Sequence, residues 1–312
     1  MKKNFFDVHD TGKFFLWVLA TPQLLALMAE ILLILIAPAF GTTAQEALKI
    51  PALAIAFGML AQIAFLIVLL LFNKKFDIKR VTKLIPKIGI RNTLLGVAIG
   101  TLGVFSLSPI VGWFDKFLSS IGFSLSTIGF EVTSIPMLVL AIILVALIPA
   151  VLEEIVFRGA ILQGLKKFGK WAAIFGTSAL FVLIHGNLQQ VIYPFVLSVI
   201  LCVFVLKTNS VASAIITHFT SNALTLILSY IEFGLDLPLW ASVLVALAGT
   251  GVMLTLAYLG KNIEKPRNAK DVLKEIEKPS WTYNNNASLL KIAIVLATVL
   301  FACNVYLGFM PN

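Results

Sequence analysis

Charge is what this sequence has least of. Of its 312 residues only 12% are Asp, Glu, Lys or Arg against 59% hydrophobic, and the mean hydropathy is +0.99. A soluble core of this length cannot hide so much apolar surface, so a polytopic membrane protein of the all-α class is implied. Cysteine is almost missing as well. Cys202 and Cys303 both fall within apolar runs, which leaves no disulfide framework and no thiolate zinc site. Histidine is nearly as scarce, with His9 in the polar leader and only His185 and His218 inside apolar segments.

What is present is length of apolar sequence. Nine segments, near 14–39, 50–72, 93–114, 134–165, 171–187, 188–206, 210–231, 237–260 and 287–309, are long enough, or nearly so, to cross a hydrocarbon layer of about 30 Å. Eight or nine spans are therefore expected. The formal charge of +9 points to the membrane surface rather than to nucleic acid, because the cations gather between spans. Placing every second connection in the cytoplasm collects Lys74, Lys75, Lys79, Arg80, Lys83, Lys87, Arg91, Lys166, Lys167, Lys170 and Lys207 on one side, with the polar stretch 261–286. That asymmetry predicts a plasma-membrane protein with a cytoplasmic amino terminus. Three regions are expected: 1–133 with three spans and an external loop or interfacial helix at 115–133, a helical core at 134–231, and carboxy-terminal spans at 232–312. Within the last, a short surface helix is expected at about 269–278.

Against this apolar background the run Glu153-Glu154-Ile-Val-Phe-Arg158 stands out. A charge near the bilayer centre costs about 2.5–3.5 kcal/mol on insertion scales, so such charges are paired or face a cavity. Glu154 and Arg158 are four apart and share a helical face, whereas Glu153 points about 100° away and must find a histidine, an amide, water or a proton elsewhere. Arg158 is expected to pair with Glu154 and to snorkel toward the cytoplasm. Helix rise then gives depths. Glu153 and Glu154 lie about 18–20 Å in from Lys166, His185 about 21 Å in from Trp171, and His218 and Asn222 about 16–22 Å in from Lys207. Polar residues from three helices thus share one slab, which predicts one buried site. Glu30, solitary in the first span, has no assigned role.

Two carboxylates and two imidazoles at one depth can activate water, hold a divalent metal or relay protons. For hydrolysis, Glu153 is the general base, His185 shares its water, and His218 with Asn222 donates to the oxyanion. No aspartate lies in a predicted span, Gly176-Thr-Ser-Ala179 is not a Gly-x-Ser-Gly serine site, and no His-Glu-x-x-His zinc motif occurs. A proton-coupled transporter is disfavoured because no inverted repeat is visible.

Three blocks, Glu153-Glu154-Ile-Val-Phe-Arg158, Phe181-Val-Leu-Ile-His185 and His218-Phe-Thr-Ser-Asn222, resemble in order the motifs of the CAAX-protease and bacteriocin-processing (CPBP, or Abi) intramembrane endopeptidases. The likeness covers roughly 134–231 and extends to the Ras-converting type of CAAX prenyl protease. It implies a membrane-embedded or prenylated peptide substrate. Glu153, Glu154, His185, His218 and Asn222 would form the catalytic set, supported structurally by Arg158 and Phe181. No cofactor is expected to be required; were zinc used, Glu153, His185 and His218 would be its ligands. The competing class is a non-catalytic scaffold or immunity protein of the same fold.

Overall fold

The computed structural model describes residues 8–73, 88–123, 132–262 and 287–310. All regular structure among them is helical, and eight helices are long and apolar enough to cross a membrane. In order these elements are α1 (Val8–Ile36), the short α2 (Ala44–Leu48), α3 (Pro51–Phe72), α4 (Ile90–Ser120), α5 (Ile135–Phe168), α6 (Lys170–His185), α7 (Ile192–Thr208), α8 (Val211–Tyr230), α9 (Leu239–Tyr258) and α10 (Ser288–Leu307). The expected fifth span is α6, and at 16 residues it is shorter than the other eight. The surface helix expected at 269–278 lies outside the described residues.

Local chemistry sets the boundaries nearest the site. Gly186 takes the left-handed conformation (φ 61°) and ends α6 one residue after His185. Asn187 then accepts from the Gln189 amide and starts the turn into α7, which gives the tight hairpin that the short 186–188 interval implies. α4 runs past the expected end at 114 to Ser120, carrying Asp115 into the helix. Tertiary contacts hold that extra length: Trp113 Nε1 donates to the Leu237 carbonyl at 2.7 Å, and Lys116 pairs with Asp236 at 2.9 Å.

α5 carries the two glutamates and is not a uniform helix. Wide π-helical turns at Ile142–Leu147 and Ile155–Ile161 flank the α-helical Ile148–Glu154. Pro149 lies in the first turn of that middle piece, where its missing N–H would otherwise break the ladder, and a widened turn is one way to absorb it. Around α5 pack α1, α3, α6, α7 and α8, and the core they share includes Phe14, Phe65, Phe157, Phe181 and Phe204.

The amino-terminal helix is pressed onto the last one. A Cβ at Gly12 would lie 2.8 Å from the Cα of Leu290, so α1 and α10 meet backbone to backbone there, as small residues permit between membrane helices. Gly12→Leu is expected to cost about 1–3 kcal/mol by overpacking, read as a lower unfolding temperature in detergent. An unchanged transition would mean that α10 does not dock against α1.

Candidate active site

The two adjacent glutamates look in different directions and do different work. Glu154 is wholly buried, as is Arg158, and Arg158 Nη1 donates to Glu154 Oε1 at 2.7 Å. The same oxygen lies 2.8 Å from His218 Nδ1. A carboxylate can only accept, so Nδ1 carries the proton and Glu154 fixes both the tautomer and the plane of the His218 ring. Charge-assisted bonds of this kind are the strong ones.

Arg158 does not snorkel. Its guanidinium lies 4.7 Å from the centre of the Phe181 ring, and the side chain is fully enclosed. With a carboxylate one turn away and an aromatic face beneath it, staying inside is cheaper than reaching for the interface. Phe181 is the floor of the site. Its ring also meets those of His185 at 4.7 Å, Phe157 at 4.9 Å and His218 at 6.1 Å, all edge-on.

Glu153 turns outward from this cluster toward α1 and α3. Its Oε1 accepts from Gln62 Nε2 at 2.9 Å, and its Oε2 lies 4.0 Å from His218 Nε2. His218 therefore stands between the two carboxylates, hydrogen-bonded to Glu154 and facing Glu153. His185 Nδ1 lies 2.7 Å from the Phe181 carbonyl. Because a carbonyl only accepts, the ring donates from Nδ1 and, when neutral, keeps the Nε2 lone pair free. Glu153, His185 and Gln62 line one cavity of about 180 Å³ together with Pro22, Gln23 and Gln190, which is room for several waters with polar partners.

The structure thus brings Glu153, Glu154, Arg158, Phe181, His185 and His218 into one connected cluster. Asn222 lies one turn beyond His218 on α8, half-buried, with no hydrogen-bond partner among the described residues. His9 and Glu30 are exposed on α1 and do not line the cavity. Among the described residues no three His, Cys, Asp or Glu side chains are arranged to hold a metal ion; the set Glu153, His185 and His218 does not fit one as it stands.

Gln62 belongs to none of the three motifs, yet the sequence marks it. It lies 10 residues from Phe72, the end of α3 expected on the cytoplasmic side, about 15 Å in by rise and so within about one helical turn of the depth of the motif residues. A polar side chain at mid-span was the signal.

The fold and the cluster define a multi-pass membrane helix bundle with a buried carboxylate and histidine site. Residues 135–224 match the family described as type II CAAX prenyl endopeptidase Rce1-like. The match is to the protease family that the three motifs resemble, and it contains all three, ending two residues past Asn222. No curated protein and no solved structure matches the chain.

Proposed function

We propose that this protein is an intramembrane endopeptidase that hydrolyses a peptide bond of a membrane-associated or lipid-modified peptide with water activated by Glu153. The observation that carries the reading is the cavity between membrane helices, which a carboxylate held by an amide and an imidazole bonded through Nδ1 line together with apolar side chains.

Glu153 takes a proton from a water in that cavity, with His185 Nε2 orienting the same water. The oxygen attacks the scissile carbonyl. The negative charge that develops on the carbonyl oxygen is met by the Asn222 amide and by His218 Nε2 in the imidazolium form. The Glu154 carboxylate stabilises that imidazolium through Nδ1, and Arg158 balances Glu154. Collapse of the intermediate breaks the C–N bond, and protonated Glu153 returns its proton to the leaving amine. The protein lies in the plasma membrane with its amino terminus inside, a reading supported by the basic residues between spans.

The test compares the membrane-peptide profile of cells carrying the intact protein with that of cells carrying Glu153→Gln. Specific uncleaved peptides accumulate in the variant. An unchanged profile together with an unchanged biological effect would favour the scaffold class instead.

The mechanism uses no metal. Glu154 Oε1 is committed to Arg158 and His218, and Asn222 is a poor zinc ligand. Elemental analysis of active, purified protein is expected to find zinc well below one equivalent, with activity indifferent to chelators. Stoichiometric zinc whose removal abolishes activity and whose return restores it would overturn this part.

A further inference from the structure

Gln62 belongs to α3, outside the segment that matches the peptidase family. Its side chain is buried at mid-helix with 7% of its surface exposed. A carboxamide there is unfavourable unless it is hydrogen-bonded. Its NH₂ group makes one such bond, to Glu153 Oε1 at 2.9 Å, while its own oxygen has no partner among the described residues. The orientation is dictated by chemistry, since only the NH₂ end can face a carboxylate. Packing alone would be served better by leucine or methionine at this position, because neither buries an unpaired oxygen.

We propose that Gln62 is a positioning residue for the general base, so that the amino-terminal helices complete the site rather than merely anchoring it. The inference rests on the reading of Glu153 as that base. By holding Oε1, the Gln62 amide fixes the rotation of the carboxyl group and leaves Oε2, the oxygen nearer His218, to take the proton from water. A free glutamate in a cavity of about 180 Å³ would sample several rotamers, and most of them would point the basic lone pair away from the nucleophile. Binding of the substrate does not need this bond, whereas the chemical step does.

The test uses full-length protein in liposomes and a farnesylated reporter peptide that the wild-type protein cleaves. Gln62→Met keeps volume and removes the donor; Gln62→Leu removes it with a stiffer apolar side chain. Both are expected to lower kcat about 10- to 100-fold, the order of loss that a small misplacement of a reacting group causes, with KM changed by no more than about two-fold. In the Glu153→Gln background, Gln62→Met should leave affinity for the uncleaved peptide unchanged. Should Gln62→Met fail to fold, Gln62→Leu carries the test. Full turnover in folded Gln62→Met, or a rise in KM with kcat intact, overturns the proposal. If Glu153→Gln itself keeps full turnover, the base reading and this inference fall together; if it is inactive while Gln62→Met is fully active, only this inference falls.

Discussion

Glu153→Gln lowers peptide cleavage by about 10²- to 10⁴-fold, the usual contribution of a positioned general base, while the protein stays folded and inserted. The substitution is nearly isosteric, and the new amide oxygen still accepts from Gln62 Nε2, so the bond at 2.9 Å survives. What disappears is the lone pair that takes the proton from water. His185 remains in the cavity, but no carboxylate is left there to take the proton from water and return it to the leaving amine. Cleavage of a reporter peptide by purified protein, beside an unfolding curve of both forms, reads the two quantities separately. A loss of activity explained by unfolding would leave the role of Glu153 unassigned.

Arg158→Ala is expected to be the most damaging single change to stability. It deletes the cation from a pair whose two members are both fully buried, and breaking such a pair by removing one partner costs about 3–5 kcal/mol, less whatever is recovered when the carboxylate takes up a proton. It also strips the guanidinium from the face of Phe181, on which both histidine rings pack, so the geometry of the site loosens along with the fold. Arg158→Lys keeps the charge but loses the planar fork and is intermediate. Glu154→Gln combined with Arg158→Ala should be less destabilising than the sum of the single changes, because the double variant buries no orphan charge. A thermal-unfolding cycle in detergent measures that coupling. Strictly additive losses would contradict the pairing seen between Nη1 and Oε1.

Most of the bundle could be read from hydropathy because membrane helices must be long, apolar and hydrogen-bonded within themselves. Helix rise places Glu153, Glu154, His185, His218 and Asn222 in one slab, and the first four do meet in one cluster although a π turn at Ile155–Ile161 interrupts the even rise of α5. What hydropathy could not show was set by tertiary contact. The extension of α4 to Ser120 depends on Trp113 and Lys116 meeting residues 236 and 237, more than a hundred positions away. The π turns of α5 depend on how its neighbours pack, and no local pattern announces them. The four-residue spacing announces the pairing of Arg158 with Glu154, which the structure contains, but not that Arg158 stays inside, because the Phe181 ring beneath it is contributed by another helix. The sequence leaves a histidine, an amide, water or a proton open as the partner of Glu153, and only the fold selects the Gln62 amide.

The central claim, that Glu153 delivers a water directly to the scissile carbonyl, is tested most directly by a single turnover in H₂¹⁸O with enzyme in excess over the reporter peptide, followed by mass spectrometry of the product and of the enzyme. The expected result is one ¹⁸O in the new carboxy terminus from the first turnover, an enzyme that stays unlabelled, and product from Glu153→Gln only at a rate about 10²- to 10⁴-fold lower. An unlabelled product with ¹⁸O found on Glu153 would contradict it by showing an acyl intermediate on that carboxylate, and cleavage by Glu153→Gln at the wild-type rate would contradict it outright.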